Sequence, residues 1–238
     1  MLKTLGRALS FLLFLSRCEL CGRQMHARDN GAVCQDCFRG VAVIPKPHCP
    51  ACGRTTFSEG QRCGACVGER FHFDRAYACV AYEGPMKKLL QKFKFRRKKF
   101  LTSFFADTMA RFCEQHLASE TRWDVVPVPM DRKRRFERGF NQSELLAARL
   151  ASSLDCPYVA GALDCAAAKN PQSLLNRAER KDNVRDRFFV KRPEALSERD
   201  VLLVDDILTT GLTASACAKA LKDAGARSVT VLAFARGV

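Results

Sequence analysis

The stretch Val201-Leu-Leu-Val-Asp-Asp-Ile-Leu-Thr-Thr-Gly-Leu-Thr213 decides the fold of this 238-residue chain. Its first four residues form a continuous apolar run, which is typical of a strand buried on both faces of a parallel sheet. Two acids and a group of hydroxyl-bearing residues follow, and Thr213–Ala224 then predicts a helix that ends at Gly225. A buried strand that leads through a polar turn into a helix indicates an α/β domain with a mostly parallel sheet.

Other segments of the chain continue this alternation of strands and helices. Apolar runs predict strands at Tyr77–Tyr82, Asp124–Pro129 and Ser228–Ala235. Helical spacing of apolar residues predicts helices at Met86–Phe95 and Leu101–Leu117. A further helix is expected to run from the candidate N-cap Asn141 to about Leu154, with Glu144 reaching back to complete a capping box.

The polar part of the first stretch predicts a site for a phosphorylated sugar. Ligands of parallel sheets bind beyond the carboxyl ends of the strands, where Asp205 and Asp206 would accept hydrogen bonds from sugar hydroxyls. Hydroxyls and free backbone N–H groups at a helix start favour a phosphate, and the candidate residues are Thr209, Thr210, Gly211 and Thr213. The alternative is that these acids and threonines only cap a turn.

Eight of the 13 cysteines form four CxxC pairs, and these pairs predict two metal sites. The pairs repeat as CxxCGR followed by CxxC, and two pairs complete a tetrahedral set of thiolates, which is typical of structural zinc or rubredoxin-like iron. We predict that neighbouring pairs share one ion, the two sets being Cys18, Cys21, Cys34 and Cys37, and Cys49, Cys52, Cys63 and Cys66. Crossed pairing and disulfide bonds are the alternatives.

The chain is strongly basic, because 40 Lys and Arg against 25 Asp and Glu give a formal net charge of +15. Such a charge favours anionic partners, namely nucleic acid, phosphate compounds or an acidic membrane. The densest cluster alternates with phenylalanines, a pattern that suits single-stranded nucleic acid, and its candidate residues are Lys94, Arg96, Arg97, Lys98 and Lys99. The alternative, which we favour for the aromatic residues, is that Phe93 belongs to the buried face of a helix.

The sequence contains no apolar run of the roughly 20 residues that a membrane-spanning helix needs. A short apolar run near the amino terminus lacks the cleavage site of a signal peptide, so we predict an amphipathic helix over residues 1–17. We further expect a double zinc ribbon over 18–72 and the α/β domain over 73–238. Because the cleavage site is missing, we expect the cytoplasm, a reducing compartment that also disfavours disulfide bonds.

Three segments carry a resemblance to known families. The stretch from Val201 to Thr213 resembles the 5-phosphoribosyl-1-pyrophosphate (PRPP) binding motif of type I phosphoribosyltransferases at every position. The segments Val126–Leu146 and Asn170–Val184 are similar to signatures of the ComF family of bacterial competence proteins, in which a zinc ribbon precedes a phosphoribosyltransferase-like domain. The similarity extends over nearly the whole chain, so it implies that architecture here, with two structural zinc ions.

The resemblance also implies roles for individual residues. It assigns Asp205 and Asp206 to the ribose hydroxyls, directly or through Mg²⁺, and the Thr209–Thr213 loop to the 5′-phosphate. Candidates for pyrophosphate binding or for a mobile catalytic loop are Arg135, Arg138, Gln172, Arg177, Arg180 and Asn183. For Arg138 and Arg180 the alternative is a surface position or an ion pair with Glu137 and Glu179.

Two functions are compatible with these observations. One is a phosphoribosyltransferase that binds PRPP with Mg²⁺ and releases pyrophosphate, with an acceptor that the sequence does not identify. The other is a non-catalytic adaptor that binds single-stranded DNA and uses the PRPP site as a sensor. The resemblance implies a role in DNA uptake or in the use of external DNA, alongside a helicase-type translocase and recombination proteins.

Overall fold

The structure is a computed structural model, described here for residues 17–26, 29, 31–41, 44, 47–117, 122–167 and 187–237. The helix predicted over residues 1–17 lies outside the described residues except for Arg17. The loop candidates Gln172, Arg177, Arg180 and Asn183 also lie outside them. Within the described part of the chain, no helix is long and apolar enough to cross a membrane.

A sheet of four parallel strands forms the centre of the α/β domain and confirms the predicted fold class. The strand order is β1–β6–β5–β2, with β1 at Arg75–Ala81, β2 at Asp124–Pro127, β5 at Asp200–Leu208 and β6 at Ser228–Arg236. Two short strands, β3 at Leu163–Cys165 and β4 at Phe188–Val190, form a separate antiparallel pair. Because the sheet strands run in one direction, their carboxyl ends meet at a single edge.

Six α-helices and two 3₁₀ turns surround the strands in the described residues. The helices are α1 at Gln35–Arg39, α2 at Gly84–Phe95, α3 at Leu101–His116, α4 at Arg132–Arg138, α5 at Gln142–Ser153 and α6 at Leu212–Asp223. The 3₁₀ turns are Gly64–Cys66 and Pro193–Ala195. The four longer helices, α2, α3, α5 and α6, begin and end within two residues of their predicted limits.

The apolar residues of β5 divide between two packed layers. Leu202 and Val204 belong to the layer formed with α2, α3 and α5, while Val201 and Leu203 belong to the layer formed with α6. All four are fully buried, and burial of each such side chain contributes about 1.5–3 kcal/mol. This arrangement explains why the strand reads as a continuous apolar run rather than as an alternating pattern.

The two cysteine-rich segments pack on different sides of the sheet domain. In the first, the ring of Phe38 meets Phe104 of α3 edge-on at 5.8 Å. In the second, Gly53 adopts a positive φ of +69° and passes so close to β1 that an added Cβ would lie 3.1 Å from the Ala76 carbonyl oxygen. The backbone of the second segment therefore lies directly against the edge strand of the sheet.

Candidate functional site

A cavity of about 360 Å³ lies at the carboxyl ends of β2 and β5. Asp205 and Asp206 of β5 line one side together with Thr209 and Thr213. The basic residues that line the same cavity are Lys94, Arg134, Arg138 and Arg187. The strand β5 extends to Leu208 instead of ending at Val204, so both acids lie within the strand and not in the turn after it.

The two acids are held by different partners. Oδ1 of Asp205 accepts hydrogen bonds from the Ser143 hydroxyl at 2.9 Å and from the Asp206 N–H at 2.8 Å. Oδ1 of Asp206 forms an ion pair with Nζ of Lys94 at 2.9 Å. Burial and the neighbouring Asp206 charge raise the pKa of Asp205 to about 7, although Lys94 lowers it. A further cation or hydrogen-bond donor beside the two acids would therefore stabilise their ionised form.

The loop between β5 and α6 brings hydroxyl groups to the amino end of a helix. Gly211 is the N-cap of α6 with φ +79°, and Thr210 Oγ1 accepts a hydrogen bond from the Leu212 N–H at 3.4 Å. The ring of Phe71 lies 3.1 Å from the place where a Cβ on Gly211 would be, so only glycine fits there without displacing the ring. The free N–H groups and dipole of a 12-residue helix favour an anion at this end.

A buried arginine that the sequence analysis missed holds this loop. The Arg236 guanidinium, at the end of β6, donates to the carbonyl oxygens of Leu208 and Gly237, each at 2.7 Å, and to that of Thr209. Its Nε donates to the Cys52 carbonyl oxygen at 2.9 Å. Arg236 thus links the hydroxyl-bearing loop to the second cysteine cluster, and no local pattern in the sequence signals that link.

Two helix N-cap residues, Asp131 and Asn141, help to position the basic residues of the cavity. Asp131 accepts a hydrogen bond from the Arg134 N–H at 2.9 Å and so begins α4, and it pairs with Arg187 at 2.8 Å. Asn141 begins α5 by accepting from the Ser143 N–H, and its Nδ2 donates to the Val128 carbonyl oxygen at 3.0 Å. These contacts tie the loop after β2 to both helices.

The arginines of α4 do not all face the cavity. Arg138 lines it and donates to Gln142 Oε1 at 3.2 Å. Arg135 is absent from the lining and pairs with Glu144, which the sequence analysis had assigned to a capping box. Arg134 lines the cavity instead of Arg135. It lies four residues before Arg138, and residues four apart share one face of a helix.

The basic cluster at residues 94–99 divides into paired and exposed members. Lys94 points into the cavity, and Nζ of Lys98 pairs with Glu19 Oε2 at 2.7 Å. Nζ of Lys99 lies 5.3 Å from the ring centre of Phe140. Arg96 and Arg97 are exposed. Lys94 and Lys98 are therefore engaged within the protein, and much of the cluster's free charge lies on the two arginines.

The eight cysteines form two clusters of four, and neighbouring CxxC pairs share a cluster as predicted. Within each cluster all sulfur atoms lie within 4.8 Å of one another. The Sγ–Sγ distance is 3.7 Å between Cys21 and Cys34 and 3.6 Å between Cys52 and Cys63. Four thiols that converge in this way fit a tetrahedral structural zinc ion.

The pKa values of the clustered thiols are shifted in both directions. Burial opposes ionisation of Cys34, but the Cys37 N–H and the Arg23 guanidinium lower the pKa of its thiol to about 6. Burial and the nearby Cys34 raise the pKa of Cys37. In the second cluster burial again opposes ionisation, but Arg236 and the Arg54 N–H lower the pKa of Cys52 to about 7. Four thiolates at these distances need a divalent cation to coexist.

Comparison with known proteins finds a matching family model for the cysteine-rich part and another for the α/β domain. A family model described as "Double zinc ribbon domain" matches residues 9–67, and one described as "Phosphoribosyl transferase domain" matches residues 141–237. Competence protein F of Haemophilus influenzae is 28% identical over 94% of this chain and 98% of its own length. DNA utilization protein YhgH of Salmonella typhimurium is 30% identical over 92% of this chain and 96% of its own. The chain belongs to the ComF family.

Within the ComF family the relatives match this chain over nearly their whole length. Competence protein ComFC of Streptococcus pneumoniae is 27% identical over 92% of this chain and 100% of its own. Among solved structures, an adenine phosphoribosyltransferase matches 60% of this chain and 74% of its own at 18% identity, with a TM-score of 0.40, too low to assign a function. This ComF-family chain thus combines two four-cysteine zinc-ribbon sites with a phosphoribosyltransferase-like α/β domain.

Proposed function

We propose that the cavity at the carboxyl ends of β2 and β5 binds PRPP together with Mg²⁺. One observation carries this proposal: a pair of acids, a hydroxyl-bearing loop at a helix start and a basic wall converge on one cavity of about 360 Å³. Each of these three features matches one part of the ligand, namely the ribose, the 5′-phosphate and the pyrophosphate. A helix start alone would suit any phosphate, and the acids add the requirement for a sugar.

The arrangement gives each part of PRPP a binding group. Asp205 and Asp206 accept hydrogen bonds from the ribose hydroxyls, and the Thr209–Thr213 loop holds the 5′-phosphate. Arg134 and Arg138 bind the pyrophosphate, since arginine donates two parallel hydrogen bonds to phosphate oxygens. Bound Mg²⁺ supplies charge that stabilises pyrophosphate as a leaving group.

The reaction that this arrangement supports is phosphoribosyl transfer. The bond between the ribose C1 carbon and the pyrophosphate oxygen breaks, and its electron pair leaves with pyrophosphate. A nucleophile of the acceptor forms the new bond to C1 and gives up its proton. The acids face the positive charge that develops on the ribose, and the arginines face the negative charge on the leaving group, so the protein acts mainly through electrostatics.

Calorimetric titration with PRPP and Mg²⁺ tests the proposal. Saturable binding is expected for the wild-type protein, and Asp206→Asn is expected to weaken it at least about tenfold through the lost charge. Asp200→Asn is the matched control, because this acid lies at the other end of the same strand and pairs with Arg227. A folded, zinc-loaded protein that shows no binding, or equal effects of the two substitutions, would contradict the proposal.

A second function, binding of single-stranded DNA, is favoured by a specific observation. Phe95 is 67% and Phe100 is 56% exposed, beside the exposed Arg96 and Arg97. Rings that alternate with cations suit a single strand, whose bases stack and whose phosphates pair with arginine. The printed names of the relatives, which refer to competence and DNA utilization, agree with such a role.

Partners are part of this second proposal. We expect the chain to act in the cytoplasm, where single-stranded DNA would arrive together with a helicase-type translocase and recombination proteins. The affinity for an oligonucleotide should fall steeply with salt, and replacing Arg96 and Lys99 by Gln should flatten that slope. If affinity and slope are unchanged, the basic cluster has another purpose.

A further inference from the structure

We propose that single-stranded nucleic acid binds in a groove next to the PRPP cavity and competes with pyrophosphate for two shared arginines. The groove is a second cavity of about 290 Å³, lined by Lys94, Phe95, Arg97, Arg134, Glu137 and Arg138. The competition rests on the proposed function, because pyrophosphate must bind in the PRPP cavity. Nucleic-acid binding in the groove is argued from the residues of the groove alone.

The charge of the groove selects an anion. Four of its six lining residues are cations and only Glu137 is an acid. Three of the cations, Lys94, Arg134 and Arg138, also line the PRPP cavity. Lys94 is paired with Asp206, and Nε of Arg134 lies 3.6 Å from Asp131 Oδ2, so Arg97 and Arg138 supply most of the charge that remains available to a ligand.

Phe95 supplies a surface for a base. Its side chain ends α2 and is 67% exposed, whereas Phe93, two residues earlier, is fully buried. The Arg138 guanidinium lies 5.2 Å from the Phe95 ring centre, which fixes the ring beside a cation while leaving most of it open to solvent. Stacking of one base on such a ring is worth about 1–3 kcal/mol.

Arg97 is held at the groove in an unusual backbone conformation. Its φ is +52°, in the left-handed region that residues other than glycine rarely adopt. Its guanidinium packs 3.6 Å from the place where a Cβ on Gly139 would be, and donates to the Glu137 carbonyl oxygen at 3.4 Å. Strained residues are concentrated at functional sites, and this one directs a cation along the wall of the groove.

These features favour an unpaired strand over other anionic partners. A duplex hides the faces of its bases, so an exposed ring beside the cations would gain little from it. An acidic membrane would meet a concave groove that contains one aromatic residue instead of a projecting apolar face. A single strand offers both complementary parts, phosphates for Arg97, Arg134 and Arg138 and a base for Phe95.

Sharing of the arginines makes the two ligands compete. A phosphate in the groove and a pyrophosphate in the cavity would both draw on Arg134 and Arg138, and two anions so close together repel each other. Each ligand must therefore weaken the binding of the other by the same factor. We expect that saturating pyrophosphate weakens oligonucleotide binding about tenfold, which corresponds to about 1.4 kcal/mol.

Fluorescence anisotropy with a labelled oligothymidylate tests the inference on the full-length, zinc-loaded protein. Phe95→Ala is expected to weaken binding about tenfold, and Arg97→Gln to reduce the magnitude of the slope of log affinity against log salt by about 0.7. The controls are Phe57→Ala, whose ring is 99% exposed on the second cysteine-rich segment, and Arg111→Gln on α3. Circular dichroism establishes that each variant is folded.

The competition arm adds inorganic pyrophosphate with Mg²⁺ to the wild-type complex. Displacement of the oligonucleotide, together with losses confined to Phe95→Ala and Arg97→Gln, supports the inference. Equal effects of the groove and control substitutions, or no displacement by pyrophosphate that calorimetry shows to be bound, would overturn it. If wild-type protein binds neither PRPP nor pyrophosphate, the proposed function fails, while the substitution arm still decides whether the groove binds nucleic acid.

Discussion

Lys94 Nζ lies 2.9 Å from Asp206 Oδ1, and this ion pair joins α2 to the carboxyl end of β5 across the candidate site. Both side chains are largely buried, with 16% of Lys94 and 9% of Asp206 exposed. The lysine thus offsets part of the repulsion between Asp205 and Asp206. A ligand that brings its own cation to these acids must compete with Lys94 for Asp206.

Removal of that lysine should change how the site responds to pH. Lys94 lowers the pKa of Asp205, so Lys94→Met is expected to raise it further. If PRPP and Mg²⁺ need ionised acids, the midpoint of their binding should move up by about one pH unit, measured calorimetrically from pH 6 to 9. Lys92→Met is the control, since Lys92 lies on the same helix but pairs with Glu19. Equal profiles for the two variants would contradict this prediction.

The buried acid Asp205 should destabilise the fold at neutral and alkaline pH. Its pKa is raised from 3.8 in the unfolded chain to about 7, so the folded state binds more protons than the unfolded state between these values. The free energy of unfolding therefore falls as pH rises from about 4 to 7. Asp205→Asn keeps an oxygen that accepts from Ser143 and should raise that free energy by about 2–4 kcal/mol at pH 8.

Urea unfolding of both proteins at pH 4 and pH 8 provides the measurement for Asp205. The substitution should have a much smaller effect at pH 4, because the carboxyl group is then protonated in the folded state and only partly ionised in the unfolded chain. A gain that is the same at the two pH values would show that ionisation of the buried Asp205 is not its cause.

Replacement of Arg236 should loosen the loop and the second zinc ribbon together. Arg236→Lys leaves one amine where the guanidinium binds the carbonyl oxygens of Cys52, Leu208 and Gly237. We expect a loss of about 2–3 kcal/mol in the free energy of unfolding, because buried carbonyl groups lose their donors. Arg227→Lys, at an exposed arginine, should change it by less than about 0.5 kcal/mol. Similar losses in both variants would exclude this linking role.

Metal analysis should find two zinc ions per chain, one in each four-cysteine cluster. Cys21→Ser and Cys63→Ser should each reduce the content to one, because the two clusters share no ligand. Cys156→Ser, outside both clusters, should leave it at two. Retention of two ions in either ligand variant would contradict the assignment of that cluster.

Chelation should affect the ribbons more than the sheet domain. Among its described residues, the segment 18–66 contributes few large buried side chains of its own, so metal binding supplies much of its folding free energy. We expect hydrogen exchange to become fast in this segment, while amides of β5 and β6 remain protected by their buried parallel pairing. Loss of protection throughout the chain would show instead that the parts unfold as one unit.

Several features followed from local sequence alone. The apolar run from Val201 predicted the central strand, because a strand buried on both faces needs apolar residues at every position. The CxxC spacing predicted the cysteine clusters, since a tight turn brings two sulfurs together whatever the rest of the chain does. The helix start at Asn141 was correct, but Glu144 pairs with Arg135 rather than completing a capping box.

The composition of the site was less accessible to sequence reasoning. Arg134 lines the cavity instead of Arg135, and the choice depends on how α4 is rotated about its axis. Asp131, the N-cap of α4, helps to set that rotation through its contact with Arg187, which is distant in sequence. A run of neighbouring arginines does not by itself reveal which member faces a ligand.

The sequence by itself determined the fold class, the metal clusters and the motif from Val201 to Thr213, because these depend on residues close together in the chain. Only the tertiary structure decided that Lys94 lies against Asp206, 112 residues later, and that Arg236 joins Cys52 to the loop after β5. It likewise decided that Phe93 is buried while Phe95 is exposed beside Arg138. Such contacts arise when elements pack, and packing orients side chains that no local pattern distinguishes.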